Sequence, residues 1–123
     1  MKKIALLGST GSLGQQVLDV IRAFPDKFEV IGLAGGENLE VLKRQLIEFQ
    51  PKMFYSSIKP NFNYQGQISS MEEMAGHPEV DLVVVTTSGK AGLNPTLAAT
   101  RAGKTIALAN KEVLVMAGEI ISQ

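Results

Sequence analysis

Residues 8–14 read GSTGSLG, three glycines at three-residue intervals, directly after the apolar run KIALL (3–7). Glycine inside a strand or helix costs about 0.5–1 kcal/mol relative to alanine. A chain that places three of them here needs bare backbone at this turn. Before the turn the pattern is a short continuous apolar run, as in a buried parallel strand. From Ser12 onward it changes to helical spacing. Leu13, Val17, Leu18, Ile21 and Phe24 form one apolar face, and Pro25 stops it. The unit is therefore strand, glycine turn, helix.

The same alternation runs through the chain. FEVIGLA (28–34) reads as a second strand and GGEN (35–38) as a turn. A second helix follows, with Leu39, Leu42, Leu46, Ile47 and Phe49 on one face, ending before Pro51. KMFYSS (52–57) suits a third strand. Residues 58–70 lack periodicity and read as a loop, with a short strand near 65–68. Ser70 and Glu73 have the spacing of a capping box, which opens a short helix ending at Gly76. DLVVVTTS (81–88) is a continuous β-branched strand. NPTLAATRAGK (94–104) then offers Asn94 as N-cap, Pro95 at the first helical position and Gly103 as the C-terminal stop. TIALA (105–109) is a further strand. Val113, Leu114, Met116, Ala117 and Ile120 give the closing segment helical spacing. Alternating strands and helices build βαβ units. The expected fold is α/β: a Rossmann-like, doubly wound parallel sheet with helices on both faces, one three-layer domain spanning 1–123.

Composition narrows the partners. Lys+Arg and Asp+Glu balance at 12 each, which argues against a nucleic-acid binder, since those domains are strongly basic. There is no cysteine, and only one histidine, which removes thiolate and multi-histidine chemistry. No apolar run reaches the roughly 18 residues of a membrane span. MKKIALLG is too short for a signal-peptide core. The expectation is a cytoplasmic protein, with no nucleic-acid partner and no membrane.

In a dinucleotide-binding fold the first glycine permits the tight turn, the next lets backbone approach a diphosphate, and the last allows close helix–strand packing. The GxxGxxG spacing differs from the commoner GxGxxG, and a plain strand–helix turn is the competing reading. After the second strand such sites place a residue that selects the cofactor. Glu37 stands there, and by charge it suits a ribose 2′-hydroxyl, hence NAD; an exposed helix-start acid is the alternative. Asn110, Lys111 and Glu112 follow the last strand, where open α/β sheets bind ligands, although a polar helix start would read the same. Ser9, Thr10 and Ser12 suit phosphate hydrogen bonding better than nucleophilic roles, having no nearby base. His77 reads as a loop residue. Met53, Met71, Met74 and Met116 read as core, and Tyr55, Phe62 and Tyr64 lack the basic patch of a stacking platform.

GSTGSLG, the GGEN turn and PTLAATRAGKTIALANKE together resemble 1-deoxy-D-xylulose 5-phosphate reductoisomerases, and LANKE is the most specific of these stretches. The family's GAAGLLPTLAAI-type stretch stands here as GKAGLNPTLAAT. The likeness is to the family's N-terminal NADPH-binding domain. It implies an enzyme that rearranges a ketose phosphate and reduces the intermediate with NADPH to 2-C-methyl-D-erythritol 4-phosphate, in non-mevalonate isoprenoid biosynthesis. By this resemblance Gly8, Thr10, Gly11, Ser12, Leu13 and Gly14 bind the diphosphate. Gly36, Glu37 and Asn38 lie by the adenosine ribose. Asn110 and Glu112 contact the cofactor near its nicotinamide, and Lys111 reaches the sugar-phosphate substrate. The resemblance also implies Mg or Mn, and a homodimer, for the full-length enzyme.

Three departures stand out. Glu37 replaces the family's usual Lys or Arg, which makes NADH an alternative cofactor. Val113 replaces Ser after the NKE triplet. Residues 56–70 look short by a surface helix. The family's acidic metal motif and substrate loop lie beyond this domain, so no metal or catalytic residue is assigned here. The expectation is a cofactor-binding fragment that does not catalyse alone, its end falling within an apolar helical pattern. The other readings are the cofactor domain of a sugar- or homoserine-type dehydrogenase, and a nucleotide-sensing module.

Overall fold

A computed structural model describes residues 1–87 and 90–108 of the chain. The first apolar run forms β1 (Lys2–Leu7), and the glycine turn leads into α1 (Ser12–Ala23). Then come β2 (Phe28–Ala34), α2 (Leu39–Phe49), β3 (Met53–Tyr55), a short β4 (Gln67–Ile68) and α3 (Met71–Ala75). The described chain continues with β5 (Leu82–Val85), α4 (Lys90–Arg101) and β6 (Thr105–Leu108). The strands lie in the order β4-β3-β2-β1-β5-β6, and every pairing is parallel. The chain winds outward from β1 through β2 and β3, then returns to place β5 on the other side of β1. This is the doubly wound, Rossmann-like sheet, and its winding reverses between β1 and β5.

Strand side chains alternate between two buried layers, as a period of two requires. Ile4 and Leu6 of β1 join Val30, Leu33 and Val84 against Val17, Leu18 and Ile21 of α1 and Leu42 and Leu46 of α2. Ala5 and Leu7 face the other way, with Ile31, Val83 and Val85, against Met74 and Ala75 of α3 and Ala99 of α4. Met53 belongs to this second layer, and Met71 packs on it. Phe54 stacks on Phe62 and meets the edge of Tyr64, whose hydroxyl donates to the Pro51 carbonyl at 2.6 Å. Those aromatics pin the 58–66 loop to the sheet. Ser70 and Glu73 complete the reciprocal capping box of α3. His77 accepts the Glu79 amide at Nδ1, a turn contact.

The structure corrects several expectations. Phe24 and Ile47 do not belong to the buried helix faces: Phe24 is the C-cap of α1, and both are exposed. The strand expected over 81–88 is shorter, Leu82–Val85, and the Thr86 amide closes its pairing with β1 by donating to the Leu7 carbonyl at 2.9 Å. Asn94 is not an N-cap and Pro95 is not the first helical residue, because α4 already starts at Lys90. Proline inside a helix forfeits one backbone bond. Here the carbonyl of Ala91 loses its donor, while the Thr96 hydroxyl donates to the neighbouring Gly92 carbonyl at 2.6 Å. Gly92 lets this early turn lie against the end of β5 and the residues after it, since a Cβ there would lie 2.9 Å from the Thr87 hydroxyl oxygen, 3.1 Å from the Thr87 carbonyl oxygen and 3.2 Å from Val85 Cγ1. The C-terminal stop is as expected. Gly103 has φ +73°, and the Gly103 and Lys104 amides return to the Thr100 and Ala99 carbonyls, a Schellman closure. The helical pattern through 113–120 lies outside the described residues.

Candidate functional site

The carboxyl ends of β1 and β5 flank the point where the sheet reverses its winding, and ligands of open α/β sheets bind outside such a point. The glycine turn sits there. Gly8 has φ +94°, and a Cβ on it would lie 2.2 Å from the Thr86 hydroxyl oxygen. Gly14 packs α1 onto the turn so closely that a Cβ would stand 2.0 Å from the Gly8 carbonyl oxygen. At Gly11 the nearest atom to an added Cβ is that same oxygen, at 3.7 Å. Gly8 and Gly14 are thus required by the fold, whereas Gly11 is an exposed N-cap with room around it.

The turn's carbonyls are held from behind. The Gly8 and Ser9 amides both donate to the Ala34 carbonyl at 2.8 Å. The Thr86 hydroxyl lies 2.7 Å from the Leu7 carbonyl and 2.9 Å from that of Gly8. Gln45 donates to the Ser9 carbonyl at 2.8 Å and Gln15 to the Thr10 carbonyl at 2.9 Å. The amides of Thr10, Ser12, Leu13 and Gly14 make no hydrogen bond among the described residues, for the first intrahelical bond runs from Gln15 to Gly11. First-turn amides have no intrahelical acceptor, and with the helix dipole they favour an anion. No acidic side chain in the first turn of α1 opposes that field.

The GGEN turn meets this loop directly: the Gly36 amide donates to the Thr10 hydroxyl oxygen at 3.0 Å. Glu37 and Asn38 follow as exposed residues. Asn38 is the N-cap of α2, its Oδ1 accepting from the Val41 amide at 3.1 Å. Ser12 is exposed and Leu13 packs partly on the core. Thus residues 8–14 and 36–38 are brought to one edge. Asn110, Lys111 and Glu112 lie outside the described residues.

Sequence reading missed Gln15, Gln45 and Thr86. Gln45 could have been noticed, because it falls three residues after Leu42 inside the apolar stripe of α2, where a polar side chain needs a reason. Among the described residues no three His, Cys, Asp or Glu side chains gather as metal ligands. No described helix is long and apolar enough to cross a membrane. A cleft of about 710 Å³ lined by Lys2, Lys27, Phe28 and Lys104 opens at the opposite edge, where the strands begin. Helices present carbonyl ends on that side of a parallel sheet, so it lacks the bare amides found at the glycine turn.

The chain is similar to proteins of one known family. The family model for 1-deoxy-D-xylulose 5-phosphate reductoisomerase matches residues 4–118. The reductoisomerase of Shouchella clausii is 44% identical over 98% of this chain, which spans 35% of that protein. The curated relatives are thus about three times as long. A DOX-P reductoisomerase crystallised with NADPH, fosmidomycin and magnesium superposes with a TM-score of 0.81 at 36% identity, covering 99% of this chain and 33% of that one. The Zymomonas mobilis reductoisomerase in complex with NADPH gives 0.76 at 32% identity, over 98% and 35% of the two chains.

Proposed function

The chain belongs to the 1-deoxy-D-xylulose 5-phosphate reductoisomerase family, and from this we propose that residues 1–123 form the NADPH-binding domain of such an enzyme. The observation that carries the reading is the row of bare amides at Thr10 and at Ser12 to Gly14, set where the sheet reverses. These amides bind the diphosphate, with Gly11 keeping a side chain out of its way and Gly8 and Gly14 letting the turn close tightly beneath it. Gly36, Glu37 and Asn38 lie by the adenosine ribose, tied to the diphosphate turn through Thr10. Asn110 and Glu112 hold the nicotinamide end, and the long stem of Lys111 carries its charge to the sugar phosphate. NADPH, when bound, supplies the hydride.

The whole enzyme converts 1-deoxy-D-xylulose 5-phosphate to 2-C-methyl-D-erythritol 4-phosphate with Mg or Mn, and this chain contributes the cofactor's binding and orientation. Two relatives are described in complex with NADPH, one of them also with magnesium, which supports both assignments. A cytoplasmic location and a homodimeric assembly rest on the family likeness. The family match favours this reading over a sugar- or homoserine-type dehydrogenase and over a nucleotide-sensing module.

Calorimetric titration with NADPH and then NADH tests it. We expect saturable binding of one dinucleotide per chain. A folded protein that takes up neither would end the assignment.

A further inference from the structure

We propose that Gln45 is a positioning residue, whose side-chain amide holds the Ser9 carbonyl and thereby turns the Thr10 amide toward the bound diphosphate. The proposal rests on the dinucleotide reading above. Gln45 is only 5% exposed, although Lys43, Arg44, Ile47 and Glu48 around it on α2 face solvent. Its Nε2 reaches across 36 residues of chain to the Ser9 oxygen. Its own Oε1 and the Ser9 hydroxyl oxygen are buried without a partner among the described residues. An unpartnered buried polar atom costs free energy, and a methionine of similar length would fill the space without that cost. Packing therefore does not explain a glutamine here; the donor does.

Peptide geometry gives the donor its role. In a trans peptide the carbonyl and the following amide point in opposite directions, and no described peptide is cis. The Ser9 carbonyl is drawn inward by Gln45, so the Thr10 N–H in the same plane points outward. The planes on either side have committed amides. Ser9 N–H goes to Ala34, and Gly11 N–H leans on the Gly8 carbonyl at 3.4 Å. Thr10 carries the one amide of residues 8–11 left without a partner among the described residues, and Gln45 sets its direction. Gln15 and Thr86 brace the carbonyls next to it, which leaves this plane to Gln45.

The test compares the wild-type protein with Gln45→Met, which keeps length but loses the donor, and Gln45→Asn, which keeps the amide but falls one methylene short. Calorimetry follows NADPH and adenosine 2′-monophosphate, which lacks the diphosphate; amide spectra follow Thr10. Losing one oriented bond to a charged group should raise the NADPH Kd about tenfold in both variants. The Kd for adenosine 2′-monophosphate should not change. In the wild type the Thr10 amide resonance should move on NADPH addition, and in the variants far less. Variants that bind NADPH like the wild type would overturn the role of Gln45 and leave the dinucleotide site standing. Equal weakening of both ligands would make Gln45 merely structural and overturn it as well. A wild-type Thr10 amide that NADPH does not move overturns it even if neither variant folds. Absence of wild-type NADPH binding would instead remove the underlying site.

Discussion

Replacing Gly14 by alanine is expected to destabilise the protein by about 3 kcal/mol or more, at the upper end of overpacking costs. The added Cβ would lie 2.0 Å from the Gly8 carbonyl oxygen, 2.7 Å from Ser9 Cα and 2.8 Å from the Gly8 carbonyl carbon. All three neighbours are backbone, so no side chain can swing aside. Relief requires α1 to slide off the turn, and α1 is fixed by Val17, Leu18 and Ile21 in the core. Thermal unfolding should show the midpoint falling by about 10 °C or more. Gly11→Ala supplies the contrast within the same motif. Its Cβ would meet nothing nearer than 3.7 Å, so the loss is only that of a glycine N-cap, roughly 0.5–1 kcal/mol, and the midpoint should fall by no more than about 5 °C. Its cost should appear in NADPH affinity, because the methyl group stands where the diphosphate approaches. If the two variants unfold alike, the division into structural and binding glycines is wrong.

Glu37→Arg should raise the ratio of NADPH to NADH affinity by about tenfold or more. A 2′-phosphate beside a carboxylate is repelled, and beside a guanidinium it gains charge-assisted, bidentate bonds. Glu37 is exposed, so solvent screens the effect. Roughly 1.4–2 kcal/mol, or about ten- to thirtyfold, is the proper scale for such a surface charge reversal. The gain should shrink as salt rises, whereas NADH affinity should respond far less. Titration of both variants with both cofactors at two ionic strengths measures this. An unchanged ratio takes Glu37 away from the ribose and leaves it as an acid near the start of α2.

The order of elements could be read from the sequence because each carries its own local signal. KIALL, FEVIGLA and LVVV are apolar on both faces, which only strands covered on both sides sustain, and Ser70 with Glu73 announces a helix start by itself. The errors fall where tertiary contacts outweigh local preference. Asn94-Pro95 carries the signature of a helix start, yet the turn before it is helical because Gly92 lets it lie against β5. Ile47 fits the apolar spacing of α2, yet nothing packs over that position, whereas polar Gln45 is buried because a loop carbonyl 36 residues away needs a donor. The site divides in the same way. The glycine turn was legible because glycine's backbone freedom is a property of the residue. The braces behind it were not, because Thr86 and Gln45 reach the turn only once β5 and α2 are in place.

The most direct measurement follows the amide resonances of the isotope-labelled protein as NADPH is added. The largest shifts should fall on Thr10, Ser12, Leu13 and Gly14, with Gly36 next through its bond to Thr10. Shifts confined to Lys2, Lys27 and Lys104 at the opposite edge, with the glycine turn unmoved, would contradict the claim that this turn receives the dinucleotide.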